Sequence, residues 1–268
     1  MRIAFFTTDS LASNGAARHV LARWSDHVVL VGLSPPFDRR RGGLVKQSVR
    51  HIRRSGVSFS TFLACNFLVP RLAGALRGDR TTLPGWCRSR GIPAVRVPDV
   101  NAPPFLETMT KLGVDVVVSA FFDQIFGHAL LALPQRGAYN VHISPLPAHR
   151  GPMPVIQGCL DDPPQCGVTV HAIEPGIDTG PIVARETWHI PAGMTVLAAM
   201  EHLQMRGAEM LDRILPDIAT GRAPLTPQSG GSYESFPDRA TLTQLRRRGR
   251  RLCDRHDLAR ALRTPVAL

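Results

Sequence analysis

The 268-residue sequence lacks the features that define several protein classes. Its five cysteines are scattered and contain no C-x-x-C pair, which predicts neither a disulfide framework nor a zinc site. No stretch reaches the roughly 18 uninterrupted apolar residues of a membrane span; the best candidate, 61–76, contains Asn66, Pro70 and Arg71. The apolar run after Met1 is too short for a secretory leader. We therefore expect a cytoplasmic chain with no membrane partner.

Lysine is also scarce, because Lys46 and Lys111 are the only two among 32 basic residues. With 21 acidic residues, the formal net charge is +11. The arginine excess has two possible explanations. One is the codon bias of a GC-rich genome, and the other is attraction to a polyanion such as tRNA, a nucleotide-linked substrate or an acidic carrier protein.

Strand and helix patterns alternate along the chain and predict right-handed parallel units. The fold class is therefore α/β, a Rossmann-like open and mostly parallel sheet with helices on both faces. The loop after the first strand has no G-x-G-x-x-G, so a dinucleotide site is not expected. Ser13 or Asn14 is the predicted cap of the first helix. We expect a catalytic domain over residues 1–220 with a basic helical insertion at 37–80. A linker and a short basic, arginine-rich C-terminal extension follow at 221–268, with one helix over 246–263.

Three polar side chains in two segments predict a single site. Asn140 and His142 lie two positions apart on a predicted strand, so both project from one face. An amide donor beside an imidazole suits a reaction in which an oxygen gains negative charge and a proton moves. Asp178 lies in a glycine-bounded loop after a later strand. We expect the two segments to meet because residues beyond the carboxyl ends of parallel strands gather at one crevice.

The two segments also carry a family resemblance. N-V-H-I-S-P-L-P-A-H-R-G begins at Asn140, and G-V-T-V-H-A-I-E-P-G-I-D-T-G-P-I follows it, with Asp178 38 positions after Asn140. This pattern resembles the formyltetrahydrofolate-dependent formyltransferases, a family that includes methionyl-tRNA formyltransferase, glycinamide ribonucleotide transformylase, sugar N-formyltransferases and formyltetrahydrofolate deformylase. The resemblance is strongest over 114–215. It implies a catalytic set of Asn140, His142 and Asp178 that needs no metal.

The resemblance implies further roles. 10-Formyltetrahydrofolate would be the formyl donor, with Asn140 and His142 donating to the developing oxyanion and Asp178 orienting the imidazole. Its pterin would lie against two loops, formed by Gln124, Ile125, Phe126, Glu174, Pro175, Gly176 and Ile177. Candidate acceptor contacts follow the first strand at Asp9, Ser10 and Asn14. Two other histidines are expected away from the site, His149 at the surface and His171 on the other side of the sheet or in solvent.

The leading hypothesis is an N-formyltransferase that acts on a primary amine of a small-molecule or carrier-bound biosynthetic intermediate. A formyltetrahydrofolate hydrolase would use the same three residues, with water in place of the amine. Methionyl-tRNA formyltransferase is less expected because the residues after Gly221 are too few for the family's appended β-barrel. A non-catalytic nucleic-acid-binding relative is disfavoured, since the arginine-rich tail lacks interleaved aromatics. The acceptor and the oligomeric state stay open.

Overall fold

The computed structural model describes residues 1–35, 43–77 and 82–263, and the side chains of 43–48 are not described. Parts of the predicted insertion (37–42 and 78–80) and of the extension (264–268) therefore lie outside the described residues. Within the described ranges the chain forms one sheet with helices packed on it. Its strands are β1 Ile3–Thr8, β2 Val28–Ser34, β3 Ala94–Arg96, β4 Val116–Ala120, β5 Ala138–His142, β6 Cys166–Ala172 and β7 Ile182–Trp188.

The strand order is β3-β2-β1-β4-β5-β6-β7. The pairs from β3 to β5 are parallel, and β6 and β7 are antiparallel to their neighbours. Every residue of β1 and β4 is buried, as expected for strands covered on both faces. The predicted open, mostly parallel sheet is confirmed.

Helices cover both faces of this sheet. Their bounds are α1 Leu11–Arg23, α2 Gly43–Ser55, α3 Val57–Leu63, α4 Val69–Arg77, α5 Leu83–Arg88, α6 Pro103–Lys111, α7 His128–Leu131, α8 Pro154–Gly158, α9 Val196–Thr220, α10 Arg239–Arg247 and α11 Arg255–Leu262. α1, α5 and α9 share one apolar core with the sheet, and α6 and α7 share another on the opposite face. A third cluster joins α3, α8, α10 and α11 to the first half of α9.

Two helix predictions are wrong at their ends. α1 is capped by Ser10, whose hydroxyl accepts from Ser13 N at 3.2 Å, rather than by Ser13 or Asn14. The predicted single helix over 246–263 is two helices. α10 ends before Gly249, which has φ 70°, and Asp254 starts α11 with a reciprocal capping box.

A π-helical turn, Ala64–Leu68, joins α3 to α4 directly before Pro70. Because proline cannot donate a backbone hydrogen bond, the irregular turn is the local adjustment that lets the helix continue. The resulting helix Val57–Arg77 is long and apolar enough to cross a membrane by length and composition alone, and it is the one such helix in the described ranges. Its Phe59 and Phe62 are fully buried in the third core cluster.

Candidate active site

Strand β5 places Asn140 and His142 on the sheet face opposite α9. Tyr139 and Val141, the alternate residues, pack in the core beneath α9, and Ala138 packs in the opposite core with α6 and α7. This alternation follows from the two-residue period of a strand. His142 is buried at 7% exposure and Asn140 is partly buried. Both side chains therefore lie under the loops that cover this end of the sheet.

Asp178 meets this pair through a loop that folds back over the sheet. Because β6 runs antiparallel to β5, its last residue, Ala172, lies beside Tyr139 and not beside the carboxyl end of β5. The two predicted segments do meet, but the expected reason, a shared carboxyl edge, is wrong. Gly180 permits the return, since a Cβ there would lie 2.0 Å from Ala172 O. Asp178 itself has a left-handed φ of 54°.

The distances define one cluster around the Asp178 carboxylate. Its Oδ1 lies 3.4 Å from Asn140 Nδ2, and its Oδ2 lies 3.6 Å from His142 Nδ1. The Gly151 N–H donates to the same Oδ2 at 2.9 Å. Asn140, His142 and Asp178 thus lie together, as the sequence predicted.

His171 also belongs to this cluster, contrary to the expectation that it faces away. It pairs with Asn140 across β5 and β6, and directly paired residues share a face. It is 2% exposed; its Nε2 lies 3.2 Å from Asn140 Nδ2 and 3.6 Å from Asp178 Oδ1. With Nδ1 2.8 Å from Ala172 O, the Nδ1–H tautomer leaves Nε2 to accept from the Asn140 amide. The alternation of Thr169 and His171 was visible in the sequence, but the partner strand and register were not.

His149 was expected at the surface, and this prediction is also wrong, since its side chain is only 13% exposed. Its imidazole bonds Asp161 at 2.8 Å and lies 3.7 Å from Glu234. Its main-chain carbonyl accepts from His142 Nε2 at 3.0 Å. The proline-rich turn therefore bends inward and holds the ring of His142 from the side opposite Asp178.

Burial and charge set the protonation states of the central pair. Burial lowers the pKa of His142, although the neighbouring Asp178 carboxylate acts in the raising direction. Burial alone would raise the pKa of Asp178, but the neighbouring His142 and His171 and the hydrogen bond from Gly151 outweigh it and lower this pKa to about 2. At neutral pH the site therefore holds an ionised carboxylate beside a neutral imidazole, a pair that can accept and pass on one proton.

The two loops predicted to hold a pterin divide into anchored and exposed residues. Gln124 bonds Val97 O and Val100 N at 2.7 and 3.0 Å, and Phe126 is buried against Phe6. Ile125 is 70% exposed. The second loop is exposed throughout, at Glu174, Pro175, Gly176 and Ile177. Ile125 and the second loop are thus the exposed members, the Gln124 and Phe126 side chains anchor their loop, and contact of all seven residues with a pterin stays a prediction.

The predicted acceptor contacts form a buried hydrogen-bonded group at the start of α1. Asp9 Oδ1 accepts from Asn14 Nδ2 at 2.8 Å and from Leu83 N at 3.2 Å, and Ser10 N donates to Asn14 Oδ1 at 3.2 Å. These bonds tie β1 to α1 and α5. Contact of Asp9, Ser10 and Asn14 with a substrate stays a prediction.

Sequence reasoning missed residues 226–236, here called the C-terminal strap, which lie in the predicted linker. Ser232 accepts from His149 N and Arg150 N, through its hydroxyl at 3.1 Å and its carbonyl at 2.9 Å. Gln228 Nε2 donates to Asp178 O at 3.1 Å. Composition gave no signal for these contacts, because a Pro-, Ser- and Gly-rich stretch reads equally as a free linker. Within the described ranges, no group of three or more potential metal-ligating side chains accompanies the site.

The part of the chain that carries this cluster is similar to known proteins. Residues 98–215 match the family model described as formyl transferase, and this stretch contains Asn140, His142 and Asp178. The predicted resemblance to the formyltransferase family is therefore confirmed.

Two methionyl-tRNA formyltransferases are among the similar sequences. The one from Chloroflexus aggregans is 34% identical over 140 residues, covering 52% of this chain and 45% of the relative. The one from Phenylobacterium zucineum is 29% identical over 229 residues, covering 85% and 63%. The chain thus spans about half to two thirds of the length of these relatives.

Solved structures share the fold. An N-formyltransferase from Helicobacter canadensis, in complex with folinic acid and dTDP-3-aminofucose, aligns with a TM-score of 0.58 and 17% identity over 88% of this chain and 71% of that one. Glycinamide ribonucleotide transformylase 1 from Symbiobacterium toebii aligns with a TM-score of 0.55 and 19% identity, over 83% and 89%. At these identities the likeness establishes the architecture.

Proposed function

We propose that the protein is a folate-dependent N-formyltransferase that transfers the formyl group of 10-formyltetrahydrofolate to a primary amine. The observation that carries the proposal is that the Asp178 carboxylate lies within 3.6 Å of both Asn140 Nδ2 and His142 Nδ1, in the stretch that matches the formyl transferase model. An amide donor, a neutral imidazole and an ionised carboxylate are the groups that acyl transfer to an amine requires.

The residues act on a tetrahedral intermediate. The acceptor amine forms a C–N bond to the formyl carbon, and the carbonyl oxygen becomes an oxyanion. The Asn140 amide donates to this oxygen, and the His142 Nε2–H exchanges its bond to His149 O for a second donation. The attacking amine loses a proton to the His142–Asp178 pair, and Asp178 stabilises the positive charge that this proton places on His142. The pair returns the proton to N10 as the C–N10 bond breaks, which releases tetrahydrofolate and the formamide.

The formyl donor is proposed from the family and from the shape of the two loops. Ile125 and the 174–177 loop, which leads directly into Asp178, present exposed apolar side chains and main-chain groups, a surface suited to a flat heteroaromatic ring with several hydrogen-bonding positions. The Helicobacter canadensis relative is described as a folinic acid complex, which supports a reduced folate for this fold.

The acceptor is proposed to be a small-molecule amine or an amine on a slender carrier-bound arm. The side chains of His142 and Asp178 are only 8% and 14% exposed, so a bulky surface cannot approach them directly. An amine at the end of a narrow group can.

The second candidate is methionyl-tRNA formylation, whose acceptor also ends in a slender aminoacyl group. The similarity to two methionyl-tRNA formyltransferases and the net charge of +11 favour it.

The test offers the purified chain 10-formyltetrahydrofolate in three reactions: with no amine, with a pool of nucleotide-linked and free amino sugars and amino acids, and with methionyl-tRNA. Tetrahydrofolate that forms only with the small-molecule pool supports the proposal. Formation only with methionyl-tRNA selects the second candidate, and equal formation without amine indicates a hydrolase. His142→Ala should lower turnover at least ~10²-fold. The exposed His128→Ala is the matched control and should not.

A further inference from the structure

The C-terminal strap contacts both segments that hold the catalytic pair, and it does so with side chains as well as main chain. We propose that Gln228 and Ser232 are positioning residues that fix the separation of His142 and Asp178 during formyl transfer. The expected effect on kcat rests on the proposed function. The expected effect on the separation of His142 and Asp178 does not depend on it.

Gln228 secures the loop that carries Asp178. Its Nε2 donates to Asp178 O at 3.1 Å and to Gly180 O at 2.5 Å, so one amide joins both ends of the return in this loop. The return includes the left-handed residue Asp178, a backbone state that residues other than glycine adopt less readily. An external donor on its carbonyl favours the one conformation that directs the carboxylate toward His142.

Ser232 secures the other side of the pair. Its hydroxyl and carbonyl accept from the main-chain N–H groups of His149 and Arg150, and Glu234 N donates back to Arg150 O at 2.9 Å. His149 O is the acceptor for His142 Nε2, and the next residue, Gly151, donates to Asp178. Residues 149–151 thus contact both members of the pair and are themselves bonded to the strap.

Two adjacent glycines show how closely the strap lies on the site. A Cβ at Gly231 would lie 1.9 Å from Pro147 O, whereas a Cβ at Gly230 would meet no atom within 4 Å. Both have positive φ, 77° and 70°, so alanine costs similar backbone strain at either position. Comparing alanine at Gly230 with alanine at Gly231 therefore separates the effect of displacing the strap from the general cost of replacing a glycine.

The experiment compares two disruptive variants, Gln228→Met and Gly231→Ala, with matched controls, Ser229→Ala and Gly230→Ala, at exposed positions. The kinetics use the acceptor that the three-reaction test identifies. We expect kcat to be about tenfold lower in the disruptive variants than in the wild type, as expected for losing two hydrogen bonds of ordinary strength. KM for the formyl donor should stay within about twofold, because Gln228 bonds Asp178 O and Gly180 O, beyond the 174–177 loop that is predicted to hold the pterin.

A second measurement does not depend on turnover. The titration of His142 is followed by NMR of the ¹⁵N-labelled imidazole, with the resonance assigned by its loss in His142→Gln. Because the Asp178 charge raises the pKa of His142, withdrawal of Asp178 should move the titration to lower pH in Gln228→Met and Gly231→Ala and leave it in place in both controls.

Unchanged kcat and an unchanged His142 titration in both disruptive variants would overturn the proposal. It would also fail if all four variants lost activity in proportion to their thermal stability, since the strap would then serve folding only. A wild-type protein with no turnover would refute the proposed function, while the NMR comparison would still decide whether the strap positions the pair.

Discussion

The substitution Asp178→Asn tests the electrostatic reasoning most directly. Asparagine keeps an oxygen that can accept from Gly151 N at 2.9 Å, so the substitution removes the negative charge and the acceptor that lies 3.4 Å from Asn140 Nδ2. His142 Nδ1 lies 3.6 Å from the carboxylate. At an effective dielectric constant of about 20, a unit charge pair at that distance gains about 4–5 kcal/mol. Since only part of a unit charge develops on His142 in the transition state, we expect kcat/KM to fall by ~10²–10³-fold.

The assay is initial-rate formation of tetrahydrofolate at pH 7.5 under donor saturation and subsaturation, with thermal unfolding measured in parallel. Asp212→Asn is the matched control, because it neutralises a similar His–Asp pair, 2.7 Å from His19 Nε2, between α1 and α9. It should leave kcat/KM within about twofold. A kcat/KM for Asp178→Asn within threefold of wild type would refute the assigned role of the carboxylate.

Three further predictions concern stability. Burial raises the pKa of Glu201 to about 7 although Arg260 opposes the shift, so its folded-state pKa exceeds the ordinary value of 4.5. Its contribution to stability is therefore full below pH 4.5 and declines as the pH rises toward 7, and Glu201→Gln should flatten the urea-unfolding free energy over that window. Gly207→Ala, whose Cβ would lie 2.3 Å from Val141 Cγ1, should destabilise the fold by about 1–3 kcal/mol in the same assay; no measurable loss would contradict this packing. Asp254→Ala removes the side-chain half of the α11 capping box, in which Asp254 Oδ1 accepts from His256 N and Asp257 N, and should cost about 0.5–2 kcal/mol, read from the thermal midpoint, with no effect on kcat.

The parts of the fold that were predictable are those with a strong local cause. β1 and β4 are continuous apolar runs, and such runs indicate strands buried on both faces. The apolar spacing along α9 is typical of a helix with one buried face, and the structure caps this helix with Thr195. The ends of α1 and the division of the C-terminal helices were wrong, because several Ser, Asn and Asp residues compete as caps and only their hydrogen bonds decide among them.

The candidate site shows the same division. Asn140 and His142 were predictable as neighbours on one face because the side chains of a strand alternate, and the two motifs paired them with Asp178. The position of His171 opposite Asn140, the inward bend of the His149 turn and the contacts of the C-terminal strap with the site were not predictable. Those facts depend on the antiparallel register of β6 and on hydrogen bonds between residues 50 to 83 positions apart. Local patterns fix which way a side chain points along its own strand, but the neighbour that it meets is chosen by the packing of the whole chain.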